Sequence, residues 1–209
     1  MIAIIDYKAG NLTSVKLAFE ALGANTSITS DPDVIRRAER VVFPGVGAAA
    51  AAMQNLIELG LIPIIKQTIL NQIPFLGICL GTQIILDHSE EDGGVHTLGL
   101  IPGNVIRFQP QNPRDKVPHM GWNRIQKTQD HPLLANIPDQ SEFYFVHSYY
   151  PTPHSRGNSF AETSYAGATF SAALGHNNIF ATQFHPEKSG QIGLQLLENF
   201  LQWNPQGSS

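Results

Sequence analysis

Short apolar runs that alternate with helix-forming segments constrain the fold of this chain more than any other feature. Residues 2–5 form a continuous apolar run that ends at Asp6, and residues 41–43 and 73–78 are further, largely apolar runs. Runs of this kind predict strands that are buried on both faces, as in a parallel sheet. Residues 25–29 are predicted to add another strand.

Helical patterns lie between and after these runs. In residues 11–22 the apolar side chains recur at the spacing of one helix face, and Gly23 supplies a stop signal. The alanine-rich residues 48–58 have high helix propensity, and residues 80–88 are predicted to form the helix that follows the run at 73–78. The alternation predicts an α/β fold with an open, mostly parallel, flavodoxin-like sheet and helices on both faces.

The second half of the chain follows a different pattern, because proline and glycine interrupt it often. We predict antiparallel strands at residues 143–146, 160–163, 169–173 and 179–184. Asn177 and Asn178 lie between the last two and suit a hairpin turn. A final helix is predicted around residues 192–201. We expect residues 1–203 to form one domain and residues 204–209 to be a frayed tail.

Composition excludes several classes of partner. The 209 residues include 13 basic and 17 acidic side chains, a net charge of −4, which gives no overall attraction to nucleic acid or anionic membrane. No apolar run approaches the roughly 20 residues that span a bilayer.

The single cysteine cannot form an internal disulfide, and the first residues have no basic lead before Asp6. We therefore expect no signal peptide and a cytoplasmic protein.

The only cysteine occupies the strongest local motif. Cys79 lies between Gly77 and Gly81 at a predicted strand-to-helix junction, which is typical of a nucleophile elbow. A helix N-terminus stabilises a thiolate and directs backbone N–H groups, here that of Leu80, towards a developing oxyanion. A buried structural cysteine is the alternative interpretation.

A general base with its own orienting carboxylate is predicted at residues 185–187. The residue before a proline favours extended geometry, in which positions i and i+2 project to the same side. Glu187 can then hold the tautomer of His185 and stabilise its imidazolium, completing a triad with Cys79. The alternatives are an ordinary histidine at a strand end and an acid favoured by the dipole of the final helix.

A second oxyanion donor is expected in the turn at residues 44–47. The glycines on either side of Val46 let its peptide plane turn at little steric cost, although a plain tight turn explains them equally well. The remaining histidines show no metal-ligand spacing, and the phosphate-binding glycine motifs are absent from the sequence. We therefore predict no metal and no nucleotide cofactor.

Residues 77–83 together with residues 185–187 resemble the class I, or triad, glutamine amidotransferases. The resemblance implies attack of Cys79 on the side-chain amide of glutamine, a glutamyl thioester, and release of ammonia and then glutamate. It also assigns substrate binding to four positions: Gly47, Gln83, Ser148 and Tyr149.

Further segments narrow the resemblance to one group within this class. The run Pro-His-Met-Gly-Trp-Asn at residues 118–123, and the lysine after His-Pro-Glu, are similar to the glutaminase subunits of imidazole glycerol phosphate synthases in histidine biosynthesis. The implied partner is a (β/α)₈-barrel cyclase subunit, which forms a heterodimer with the chain and receives ammonia through a channel. By position in the matching motifs, the interface candidates are Asn11, Trp122, Tyr144 and Lys188.

Three other functions remain open at this point. The same chemistry could serve anthranilate or aminodeoxychorismate synthase, although those relatives usually carry histidine where Thr82 stands. A γ-glutamyl peptidase of the same fold would act without a partner. A non-catalytic regulatory subunit would not need Cys79 to react. For the interface, the alternative is that Trp122 and Tyr144 are core aromatics.

Overall fold

The computed structural model describes residues 1–207. Its α-helices are α1 (Leu12–Ala21), α2 (Pro32–Arg36), α3 (Ala49–Glu58), α4 (Leu61–Leu70), α5 (Leu80–Ile84) and α6 (Gly190–Gln202). The first strands are β1 (Ile2–Ile5), β2 (Thr26–Thr29), β3 (Arg40–Gly45), β4 (Phe75–Cys79), β5 (His88–Ser89), β6 (Val95–His96) and β7 (Gly103–Arg107). They are followed by β8 (His119–Arg124), β9 (Gln126–Lys127), β10 (Glu142–His147), β11 (Tyr149–Pro153), β12 (Ser159–Tyr165), β13 (Ala168–His176) and β14 (Ile179–Thr182).

A central sheet organises the fold, with the strand order β2-β1-β3-β4-β14-β13-β12-β9. The first five strands in this order run parallel, and β13, β12 and β9 continue the sheet in antiparallel pairs. The parallel part has the order 2-1-3-4-5 of flavodoxin-like sheets, with β14 in the fifth place. The predicted α/β class, with an antiparallel portion in the C-terminal half, is confirmed.

Both faces of the parallel part are covered, which explains why β1 is apolar throughout. Ile2 and Ile4 belong to the core shared with α1 and α6. Ala3 and Ile5 belong to the core on the opposite face, shared with α2, α3, α4 and α5. Successive side chains of a strand point to opposite faces, so a strand between two helical layers needs apolar residues at every position.

Two smaller sheets lie beyond the carboxyl end of β4. Strands β8 and β10 form an antiparallel ribbon in which Trp122 is opposite Tyr144 and His119 is opposite His147. Strands β11, β7, β5 and β6 form the second small sheet. The segment between β10 and β11 therefore joins the ribbon to this second sheet, and it contains Ser148.

The structure corrects one predicted helix and adds another, and it describes only part of the predicted tail. The helix predicted at residues 80–88 ends at Ile84, because the chain turns there to form β5, which pairs with β6 and β7. Helix α4 was not predicted, although Gly60 with φ 64° separates it from α3. The predicted tail is only partly described: Gly207 N donates to Asn204 O at 3.1 Å in a turn, and residues 208–209 lie outside the described residues.

Within residues 1–207, no single helix is long and apolar enough to cross a membrane. Helices α3 and α4 reach that length and composition only when taken together, and they meet at a bend of 93°.

Replacing Gly81 by alanine is expected to destabilise the fold, because a Cβ there would overlap the carbonyl oxygen of Phe43 on β3. Overpacking against backbone costs about 3 kcal/mol. Urea denaturation of Gly81→Ala should show this loss. The matched control is Gly157→Ala, where the nearest atom is Ser155 Oγ at 3.4 Å. Equal midpoints for the two variants would contradict the steric explanation.

Candidate active site

Cys79 occupies a strained turn where β4 ends and α5 begins. Its backbone has φ 55° and ψ −106°, a conformation that L-residues rarely adopt. Residue Gly45 on β3 is in register with Cys79, so the turn at residues 44–47 lies directly beside the sulfur. The strand-to-helix elbow predicted from the glycine spacing is present in the structure.

The two flanking glycines are needed for different contacts. An added Cβ at Gly81 would overlap the Phe43 carbonyl oxygen, whereas at Gly77 it would lie 3.0 Å from the Cβ of Ala181 on β14. A side chain at Gly81 would push α5 away from β3, and one at Gly77 would push β4 away from β14. The glycines thus permit the close packing that holds the turn in place.

His185 and Glu187 form a buried pair beside this turn. His185 Nδ1 lies 2.7 Å from Glu187 Oε1, and the two side chains are 1% and 0% exposed. The contact arises differently from the prediction: His185 is extended, but residues Pro186–Lys188 form a single 3₁₀ turn. His185 N donates to the carbonyl of Tyr144 at 2.9 Å, which ties the base to β10.

The carboxylate fixes the tautomer of His185. An ionised carboxylate only accepts hydrogen bonds, so Nδ1 carries the ring proton and Nε2 keeps its lone pair. Nε2 is buried and has no hydrogen-bond partner among the described residues. When neutral, His185 is therefore the tautomer that can accept the thiol proton.

Electrostatics favour a charged His185. Burial lowers the pKa of His185, but the neighbouring Cys79 and the Glu187 carboxylate outweigh this effect, and the net pKa is raised. The raised pKa favours the imidazolium that forms once His185 has accepted a proton.

A cavity of about 270 Å³ opens at the sulfur. It brings together the predicted oxyanion and substrate-binding residues, which come from three separate segments. These cavity-lining residues are Val46, Gly47, Leu80, Gln83, Ser148 and Tyr149. Gly10 lies behind the turn, since a Cβ added there would be 2.8 Å from Val46 Cγ2.

Gln83 presents only its oxygen for binding. Its Nε2 donates to the Tyr149 carbonyl at 2.8 Å and to Gln183 Oε1 at 2.9 Å. Both amide hydrogens are thus used, and Oε1 remains as an acceptor. The sequence predicted Gln83 but gave no indication of Gln183.

Glu91 is a second acceptor in the cavity, and it was not predicted from the sequence. Its Oε2 accepts from Ala49 N at 2.6 Å, and burial raises its pKa. The acidic turn Glu90-Glu91-Asp92 before two glycines was the available signal. With Gln83 Oε1, this carboxylate gives the cavity two acceptors that suit an ammonium group.

Two neutral histidines support the cavity wall. His147 Nδ1 lies 2.8 Å from the Tyr149 carbonyl, and His147 Nε2 lies 3.0 Å from His119 Nδ1. A carbonyl only accepts, so His147 Nδ1 and then His119 Nδ1 must be the donors. Burial lowers the pKa of His147 to about 3 and that of His119 to about 4, so both rings are neutral near pH 7.

The four interface candidates lie near His185 and Glu187. Asn11 Nδ2 donates to Glu187 Oε1 at 2.6 Å, so its side chain faces the triad. Trp122 is 55% exposed and makes an edge contact with the ring of half-buried Tyr144 at 6.1 Å. Lys188 is exposed. Trp122 is therefore not a core aromatic, and Met120, which was not predicted, is 64% exposed beside it on β8.

Among the residues that the structure describes, no three His, Cys, Asp or Glu side chains lie close enough together to hold a metal ion.

Comparison with known sequences identifies close relatives. The glutamine amidotransferase class-I family matches residues 3–203. Subunit HisH of imidazole glycerol phosphate synthase from Pseudomonas putida is 49% identical over 208 residues, with 97% of each chain covered. The HisH protein of the same name from Nitrosococcus oceani is 50% identical, with 97% of each covered. That from Methanothermobacter thermautotrophicus is also 50% identical, covering 97% of this chain and 98% of the relative.

Solved structures share the fold at lower identity. A glutamine amidotransferase from Thermotoga maritima has a TM-score of 0.65 at 17% identity, covering 98% of this chain and 86% of the other. PurLQS from the same organism has a TM-score of 0.70 at 15% identity, covering 96% and 97%.

Replacing Cys79 by alanine is expected to lower the pKa of His185. The sulfur raises the pKa of His185 and burial lowers it. Without the sulfur, the lowering effect of burial is opposed only by Glu187. NMR titration of labelled imidazoles measures this change. His131, whose pKa burial lowers to about 4, is the internal control and should not change. An unchanged His185 titration would show that the sulfur does not act on the ring.

Proposed function

This chain belongs to the class I glutamine amidotransferase family, and we propose that Cys79, His185 and Glu187 are the triad with which it hydrolyses L-glutamine. Its role is that of the glutaminase subunit of imidazole glycerol phosphate synthase in histidine biosynthesis. The observation that carries the triad is the 2.7 Å contact of His185 with Glu187, beside a cysteine at a strained elbow that opens into a cavity.

The reaction follows from the positions of these groups. The Cys79 proton moves to His185 Nε2, and the thiolate attacks the side-chain carbonyl carbon of glutamine. Backbone N–H groups of Leu80 and Val46 stabilise the oxyanion. His185 returns the proton to the departing ammonia, leaving a glutamyl thioester. A water molecule, deprotonated by His185, then hydrolyses the thioester to glutamate.

The cavity orients the amino-acid end of the substrate. The α-ammonium group donates to Gln83 Oε1 and to the Glu91 carboxylate, which are acceptors at the cavity wall. Backbone at Gly47 and at Ser148 and Tyr149 holds the α-carboxylate. This leaves the side-chain amide of glutamine at Cys79.

Ammonia is delivered to a separate (β/α)₈-barrel cyclase subunit in a heterodimer. The docking surface comprises Asn11, Trp122, Tyr144 and Lys188, together with Met120. An exposed aromatic at the centre of a patch is a common anchor of protein interfaces. The hydrogen bond from His185 N to the Tyr144 carbonyl supports a docking surface next to the proposed catalytic base.

Control by the partner depends on the turn at residues 44–47. We infer that the Val46 peptide presents its N–H to the oxyanion only when the cyclase subunit holds its ligand. Gly45 and Gly47 flank this peptide, and Gly47 has φ 111°. A missing oxyanion donor lowers the rate by roughly 10²–10³. The free chain is then a slow glutaminase that wastes little ammonia.

Residues 1–203 act as one glutamine amidotransferase domain, since the central sheet takes strands from both halves of the chain. A thiol nucleophile has to stay reduced, which favours the cytoplasm as the compartment.

Glutamate release is expected to be slow for the chain alone and to rise by roughly 10²–10³ when the ribonucleotide substrate and the cyclase partner are both present. Cys79→Ala should abolish the activity in both cases. A coupled glutamate assay measures the rates. Fast turnover that does not change when the partner is added would indicate a self-sufficient hydrolase. Stimulation only by a different synthase would indicate that the chain serves that synthase.

Diazo-oxo-norleucine should alkylate Cys79 in the complex and leave Cys79→Ala unmodified. This glutamine-like electrophile reacts only where the pocket binds it and the thiolate is activated. Intact-mass spectrometry after incubation detects the added label. Absence of labelling from the loaded complex would favour a non-catalytic regulatory subunit.

Trp122→Ala is expected to weaken binding of the cyclase subunit by about tenfold or more, as for a central aromatic anchor. Isothermal titration calorimetry measures the change. Leu70→Ala on α4 is the matched control, because Leu70 is 79% exposed and lies outside the proposed surface. Equal affinities for the two variants would remove Trp122 from the interface.

A further inference from the structure

We propose that Gln183 is a catalytic residue whose side-chain N–H holds the Cys79 thiolate. The proposal rests on the proposed function to the extent that Cys79 is the nucleophile. Gln183 Nε2 lies 3.7 Å from Cys79 Sγ, within the range of a hydrogen bond to sulfur. The residue is fully buried, and its backbone N donates to Ala172 O at 2.9 Å.

The direction of this amide follows from the Tyr149 carbonyl. That oxygen only accepts, so the Gln83 atom at 2.8 Å from it is the nitrogen Nε2. The second hydrogen of Gln83 Nε2 then points to Gln183 across 2.9 Å, and the Gln183 atom there is the oxygen. The remaining Gln183 atom, which faces Cys79, is therefore the nitrogen. Donation runs in one direction, from Gln83 to Gln183 and on to the sulfur.

The other neighbour of the sulfur makes this donor necessary. Cys79 Sγ lies 3.8 Å from the carbonyl oxygen of Val146, which can accept from the thiol. Once the thiol has lost its proton, this oxygen becomes an unfavourable neighbour for the negative sulfur. Gln183 can donate to both forms, and a donor gains strength when its acceptor is charged.

Gln183 exchanges no proton in the reaction. During attack the S–H bond breaks, its proton goes to His185 Nε2, and the S–C bond to the substrate forms. The Gln183 N–H stays intact and stabilises the sulfur while it is negative. Losing one hydrogen bond to a charged group corresponds to roughly a tenfold to hundredfold loss.

A purely structural role for Gln183 makes a different prediction. If its oxygen only positions Gln83, substitution should raise the KM for glutamine and leave the reactivity of Cys79 unchanged. If its nitrogen holds the thiolate, kcat should fall and Cys79 should need a higher pH to react. Because Cys79 is the only cysteine in the sequence, the mass gained by this chain on thiol alkylation measures this residue alone.

The experiment compares Gln183→Met and Gln183→Glu in the complex with the cyclase subunit. Methionine keeps the length and removes the donor, whereas glutamate places a second negative group near the sulfur. We expect kcat to fall roughly tenfold to hundredfold for Gln183→Met and further for Gln183→Glu, with KM changed less than about threefold. The pH midpoint of iodoacetamide alkylation should rise in the same order.

Gln67→Met on α4 is the matched control, since Gln67 is exposed. If Gln183→Met does not fold, Gln183→Glu and the shorter Gln183→Asn, which withdraws the N–H from the sulfur, provide the same comparison. An unchanged alkylation midpoint with normal kcat would overturn the proposal for Gln183 and leave the proposed function intact. A shifted midpoint in a chain whose wild type never turns over glutamine would instead refute the proposed function.

Discussion

The strained turn at Cys79 is the constraint on which the rest of the site depends. A residue with φ 55° at the end of β4 is tolerated only because the next turn of chain fits tightly between neighbouring strands. Gly81 lies against the carbonyl of Phe43 on one side, and Gly77 packs on Ala181 on the other. Strand β3 leads into the turn at residues 44–47 and β14 leads towards His185, so the packing that permits the elbow also positions these two segments beside Cys79.

The antiparallel half of the molecule completes the site. The backbone of His185 is held by Tyr144, and the carbonyl of Tyr149 accepts from both Gln83 and His147. A flavodoxin-like sheet alone would present Cys79 without a walled pocket beside it. The ribbon and the second small sheet supply that pocket, and the exposed face of the same ribbon carries Trp122.

The sequence was informative wherever a function depends on neighbouring residues. The glycines around Cys79 and the two-residue spacing from His185 to Glu187 are local patterns. The structure has a strand-to-helix turn at Cys79 and a His185–Glu187 contact that forms through a 3₁₀ turn, and the catalytic roles of these residues stay a prediction. Glu91 and Gln183 were missed because their roles arise from contacts between distant segments. Gln183 faces Gln83, which is 100 residues away in the chain. The early end of α5 was missed for a similar reason, since the pairing of β5 outweighs local helix propensity.

The contact between Gly10 and Val46 has a consequence for the timing of catalysis. Gly10 lies against the side chain of Val46, whose N–H is the proposed second oxyanion donor, and the next residue, Asn11, donates to the carboxylate of Glu187. Asn11 has φ 69°, so this segment is held in place by its surroundings and not by its own preference. The peptide bond between Gly10 and Asn11 therefore joins the residue that contacts Val46 to the residue that binds Glu187. A displacement of this segment would move the proposed oxyanion donor and the proposed base together, so we expect the two to respond to a partner as one unit.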